Sequence, residues 1–133
     1  MPDEFLGTIL IAEDDAAIRD GLSMSLEIEG YRVRTARNGQ EALAILPELE
    51  SPGLLLLDLL MPVMSGWALI EAKNADPALA SIPVVVISAA EREPLPGVAA
   101  FVPKPYDLHQ VIDTVRRFCG GERAPRAGAR WLN

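Results

Sequence analysis

Cysteine is almost absent from this chain, cations are outnumbered, and long apolar runs are missing. Cys119 is the only cysteine among 133 residues, so no internal disulfide can form and a reducing, cytoplasmic setting fits best. Twelve Lys and Arg against 19 Asp and Glu leave a formal net charge of −7, which argues against nucleic acid as the primary partner. No hydrophobic stretch reaches the roughly 18 residues that a membrane span requires. The start, Met1-Pro2-Asp3-Glu4, is acidic and lacks the basic region of a secretory signal. What remains is a 133-residue chain with half its residues hydrophobic and 23% charged, enough for one globular domain with its own core.

The apolar residues come in short blocks. Thr8-Ile9-Leu10-Ile11-Ala12 stops at Glu13-Asp14-Asp15, and Leu54-Leu55-Leu56-Leu57 stops at Asp58. Pro83-Val84-Val85-Val86-Ile87 stops at Ser88, and a weaker Ala99-Ala100-Phe101-Val102 stops at Pro103-Lys104-Pro105. Such runs predict strands buried on both faces. Tyr31 to Ala36 alternates Tyr, Val and Thr with Arg32 and Arg34, as a half-exposed edge strand does. Between these blocks the period lengthens. Ile18, Leu22 and Leu26 repeat every fourth residue from about Ala16 to Glu29, with Asp14 or Asp15 as cap and Gly30 as stop. Asn38-Gly39-Gln40-Glu41 matches a capping box for a second helix that Pro47 limits. Ser65 caps a third helix bearing Trp67, Leu69, Ile70 and Lys73, closed by Asp76-Pro77. Asp107 opens a last helix bearing Leu108, Val111, Ile112, Val115 and Phe118, ended by Gly120-Gly121. The alternation predicts a five-stranded parallel sheet with helices on both faces. The domain runs over residues 1–120, and residues 121–133, with Arg123, Arg126 and Arg130 among Ala, Gly and Pro, form a flexible tail.

In such a sheet every strand ends on the same edge, where open α/β folds bind their ligands. Glu13, Asp14, Asp58, Ser88 and Lys104 would therefore share one rim. Each has an ordinary explanation alone: acids cap helices, serines sit in turns, lysines before proline are solvated. Together they form a coherent set. Three carboxylates within a few ångströms repel unless a cation or a proton relieves them, and hard oxygen donors suit Mg²⁺. Asp58 could then act as a nucleophile toward phosphorus, with Mg²⁺, Lys104 and the Ser88 hydroxyl neutralising the phosphoryl oxygens. His109 and Cys119 have no part in this set and are expected at the surface and in packing, respectively.

The strings Ile9-Leu10-Ile11-Ala12-Glu13-Asp14, Leu57-Asp58-Leu59-Leu60-Met61-Pro62, Ile87-Ser88-Ala89 and Lys104-Pro105 resemble the receiver domain of two-component response regulators over about residues 6–120. The resemblance implies a flavodoxin-like (βα)5 fold with strand order 2-1-3-4-5. It implies Glu13 and Asp14 as the acidic metal-binding pair, Asp58 as phosphoacceptor, and the backbone carbonyl of Leu60 as a further Mg²⁺ ligand. Ser88 and Phe101 would be the switch pair, Lys104 would contact the phosphoryl group, and the Lys104–Pro105 bond would be cis. Partners would be a histidine kinase or phosphotransfer protein as donor and an unidentified downstream protein, with homodimerisation open. No nucleic acid or membrane is expected as a partner, and the chain would not be an enzyme beyond self-catalysed phosphoryl transfer and autodephosphorylation.

One departure stands out. Twelve residues, Ala89 to Ala100, separate Ser88 from Phe101, and they include Pro94, Pro96 and Gly97. Two prolines leave at most a turn or two of helix, so the fourth helix of the family is expected to be shortened or irregular. The crossover from Ala90 to Val98 would be mobile, and the apolar patch beside it, extended by the last helix, would be the partner or dimer surface. Two alternatives remain. An aspartyl-phosphate hydrolase of the haloacid-dehalogenase type needs a second Asp two residues past the nucleophile, where this chain has Leu60. A phosphorylation-independent adaptor would have no use for the acidic set.

Overall fold

The computed structural model describes residues 5–89 and 96–119. Five strands, β1 (Thr8–Ala12), β2 (Arg32–Ala36), β3 (Gly53–Leu57), β4 (Val84–Ser88) and β5 (Val98–Pro103), pair in parallel in the order β2-β1-β3-β4-β5. This is the doubly wound fold expected from the sequence. β1, β3 and β4 occupy the middle, which is why their residues read as unbroken apolar runs: both faces are covered. β2 lies at an edge and keeps its arginines toward water.

Four helices are present among the described residues: α1 (Ala16–Glu29), α2 (Gly39–Ile45), α3 (Gly66–Ala75) and α4 (Leu108–Phe118). Leu22 and Leu26 of α1 pack with Val111 and Val115 of α4 on one face of the sheet, against Ile9, Ile11, Leu54, Leu56, Val85 and Ile87. The other face takes Ala42 and Leu46 with Leu69 and Ile70 of α3, against Leu10, Leu55, Leu57, Val84 and Val86. Odd and even positions of each central strand thus feed different layers.

Local signals set the ends. Asp15 accepts the Ile18 N–H at 3.0 Å, and Gly30, at φ 111°, closes α1 in the left-handed conformation. Asn38 accepts the Glu41 N–H at 2.9 Å, but the Glu41 carboxylate returns to the N–H of Arg37, one residue before the cap. The limit at Pro47 takes the form of a 3₁₀ turn, Leu46–Glu48, which suits a proline in its first positions. α4 ends at Phe118, with Gly120, Gly121 and the tail outside the described residues.

One expectation needs revision. β5 begins at Val98, one residue before the expected start and inside the segment expected to be irregular; Ala90 to Leu95 of that segment lie outside the described residues. Lys73, read with Leu69 and Ile70 as a member of the α3 face, lies on it and is completely buried. Its ammonium donates to the Ala80 carbonyl at 2.9 Å and to Asn74 Oδ1 at 3.3 Å, which is how α3 tolerates a charge on its inner side. Burial lowers its pKa. Val84 to Ile87, which have to be covered although the crossover after them is short, are all buried, helped by Leu79 in the loop that follows α3.

Candidate phosphoryl-acceptor site

The parallel register brings the strand ends to one level. Ala12 pairs with both Ala36 and Leu57, and Leu57 with Val86, so Glu13, Asp58 and the end of β4 emerge side by side. Asp58 donates its N–H to the Ala12 carbonyl at 3.1 Å, and Glu13 donates to the Ala36 carbonyl at 3.0 Å. Both acids are buried, while Asp14 is exposed at the rim.

Asp58 has a different partner on each oxygen. Oδ1 accepts the Leu60 N–H at 3.1 Å, and Oδ2 accepts from Lys104 Nζ at 2.9 Å. Lys104 also stands 3.5 Å from Glu13 Oε1. Its own N–H donates to the Ser88 carbonyl at 3.2 Å, which fixes the end of β5 beside β4, and the Lys104–Pro105 bond is cis. Burial works against the ammonium, but the hydrogen bond and charge of Asp58, with Glu13 behind them, prevail and raise its pKa. Glu13 moves the other way from an ordinary carboxylate. Burial pushes it up to about 7, helped by the Asp58 charge and Asp14 and opposed by the Asp15 N–H and Lys104.

One oxygen from each of Glu13, Asp14 and Asp58 fits within a 4.8 Å span. All three donors are hard oxygens carrying more negative charge than Lys104 alone balances, so the set fits a small divalent cation such as Mg²⁺. Ser88 is buried at the end of β4, and Phe101, half-buried on β5, sits opposite Val86 and packs toward the α2–α3 layer. The structure thus gathers Glu13, Asp14, Asp58 and Lys104 and sets Ser88 and Phe101 on the two neighbouring strands.

Sequence reasoning missed Arg19, whose Nη1 donates to the Glu13 carbonyl at 3.0 Å. Its spacing on α1 gives no hint of a bond to the strand end. It also missed Val63, held at φ 67° in the loop after Asp58, a strained conformation for a β-branched residue.

The family model for the response regulator receiver domain matches residues 9–116. The chain belongs to the response regulator receiver family. An uncharacterised 14.6 kDa protein of Leptolyngbya boryana is 36% identical over 117 residues, covering 84% of this chain and 88% of that protein. The DNA-binding regulator RpaA of Synechocystis is 32% identical over 114 residues, 81% of this chain but 47% of the regulator, so this receiver spans about half the length of such relatives. Among solved structures, a CheY-like receiver protein from Methanospirillum hungatei superposes with a TM-score of 0.76 at 27% identity, covering 90% of this chain and 99% of that one. The receiver domain of the hybrid histidine kinase CckA gives 0.70 at 36% identity, covering 84% and 97%. Among the described residues of this receiver, no helix is long and apolar enough to cross a membrane.

Proposed function

We propose that this receiver is a phosphorylation-switched signalling protein whose Asp58 takes a phosphoryl group from the phosphohistidine of a kinase or phosphotransfer protein. The observation that carries this reading is the geometry of Asp58: a buried carboxylate oriented through both oxygens, beside two further acids and one ammonium. In the transfer, an Asp58 oxygen bonds to phosphorus as the phosphorus–nitrogen bond to the donor imidazole breaks, leaving a carboxylic–phosphoric anhydride. Lys104 already lies against that carboxylate and is placed to follow the charge onto the phosphoryl oxygens, with the Ser88 hydroxyl offering a hydrogen bond. Glu13, Asp14, Asp58 and the Leu60 carbonyl would hold Mg²⁺, which when bound offsets the negative charge of the incoming phosphoryl group. Output would come through protein contact, with Ser88 and Phe101 as the moving pair and water attacking the anhydride in the return step.

Incubation with a small phosphodonor and Mg²⁺ should add one base-labile phosphoryl group by intact mass, and no gain under any Mg²⁺ concentration would defeat the proposal. Cation binding should itself depend on pH. A proton and Mg²⁺ compete for Glu13, so with its pKa at about 7 the affinity should fall about tenfold between pH 8 and pH 6. Glu13→Gln should remove that dependence. Calorimetric titrations with the same slope in both proteins would assign the proton elsewhere. In cation-free protein the sign reverses for stability: the folded state holds a proton that the unfolded chain has lost between the ordinary carboxylate value and 7, so stability should fall as pH rises through that window.

A further inference from the structure

β5 changes faces once along its length. Val98 packs toward the α2–α3 layer, Ala100 and Val102 toward the α1–α4 layer, and Phe101 toward α2–α3 again. Positions 98 and 100 share parity and should face the same way in a regular strand. The register explains the break: Val84 pairs with Val98 but Val85 pairs with Ala100, leaving Ala99 as an extra, bulged residue. Every later pairing depends on it. Phe101 opposite Val86, Pro103 opposite Ser88 and the Lys104 N–H on the Ser88 carbonyl all follow from that one inserted residue. Without the bulge, Phe101 would turn to the α1–α4 side and Lys104 would move one residue out of register with Asp58.

A bulge in an edge strand needs something to hold it, and the structure supplies a clamp just ahead of it. Asn74 Nδ2, at the end of α3, donates to the Pro96 carbonyl at 3.0 Å. Its Oδ1 is fixed by the buried Lys73 ammonium at 3.3 Å. Gly97, at φ 81°, passes so close that a β-carbon there would stand 2.6 Å from Asn74 Oδ1. This contact pins the entry to β5 on the α2–α3 side, where Val98 begins.

We infer that Asn74 is a remote positioning residue for the acceptor site: by clamping Pro96 and Gly97 it holds the Ala99 bulge, and the bulge sets the register that brings Lys104 to Asp58 and Phe101 to its face. The role of Lys104 in this inference rests on the proposed phosphoryl transfer; the register link does not.

Asn74→Asp separates the clamp from simple packing. The aspartate keeps the shape and the acceptor for Lys73 but loses the N–H that reaches Pro96. In unphosphorylated protein, amide exchange from Ala100 to Lys104 should speed up about tenfold, while β1 and β3 amides and the denaturation midpoint hold. Gly97→Ala, which attacks the same contact from the other side, should speed the same amides while also lowering the denaturation midpoint, because alanine is strained at φ 81°. Faster exchange confined to Val98, with Lys104 unchanged, would overturn the inference whatever Asp58 does. In phosphoryl labelling, Asn74→Asp should shift the rate toward that of Lys104→Ala and have no added effect in that background. Additive effects of the two changes would also overturn it. Failure of the wild type to label, with the exchange result intact, would count against the phosphoryl reading alone.

Discussion

Asp58→Asn protein, given Mg²⁺ and a small phosphodonor, should gain no phosphoryl mass under conditions that label the wild type. The amide has nearly the shape of the carboxylate but no anionic oxygen to bond phosphorus. Its oxygen can still accept the Leu60 N–H that now reaches Oδ1 at 3.1 Å, and Lys104 keeps Glu13 at 3.5 Å, so the loop and the lysine have reasons to stay. Loss of labelling should therefore occur in a folded protein, with the denaturation midpoint close to wild type. Relief of the Glu13–Asp58 repulsion offsets part of the lost Asp58–Lys104 ion pair, which keeps the midpoint near wild type. Labelling of Asp58→Asn to the wild-type extent would place the acceptor on another residue.

Gly66→Ala should destabilise the fold by about 2–3 kcal/mol, although alanine is the better helix former by about 1 kcal/mol. Gly66 is the first residue of α3, and its N–H donates to the Leu59 carbonyl at 2.9 Å. A β-carbon there would stand 2.6 Å from Leu59 Cα and 2.8 Å from the Asp58 carbonyl. Both obstacles are main chain, so no side-chain rotation can relieve them and α3 must move away from the acceptor loop. The site should suffer with the fold, through weaker Mg²⁺ binding. Gly21→Ala provides the contrast: nothing lies within 4 Å of a β-carbon at that exposed position of α1, and the change should stabilise by about 0.5–1 kcal/mol. Equal denaturation midpoints for the two variants would show that the α3 contact is not tight.

Those two glycines look alike in the sequence, which marks where sequence reasoning stops. Buried strands were legible because apolar runs of four or five residues ending on a charge have few other uses in a chain of this composition. The meeting of Glu13, Asp14, Asp58 and Lys104 was legible too, since parallel strands must end on one edge and the acids follow strands directly. Contacts set by three-dimensional approach were not. Nothing in Lys73 announces a buried ammonium bonded to neutral oxygens, and Ala99 carries no mark of a bulge, because bulges depend on the neighbouring strand and not on composition. Arg19 was invisible for the same reason: its reach to the Glu13 carbonyl depends on how α1 lies over the strand end. The 3₁₀ turn after α2 fell between, since Pro47 signals a limit without saying what geometry will replace the helix.

The burial of Lys73 also makes that residue a clock. A primary amine with lowered pKa would ordinarily react readily with a water-borne acylating reagent, yet here the nitrogen is sealed beneath α3 and engaged by Ala80 and Asn74. Modification must wait until the end of α3 lifts, so its rate reports the frequency of that excursion and not the nucleophilicity of the amine. The one other lysine, Lys104, is engaged by Asp58 and Glu13, so a free amine added to the solution must record the reagent; Lys73 records the opening.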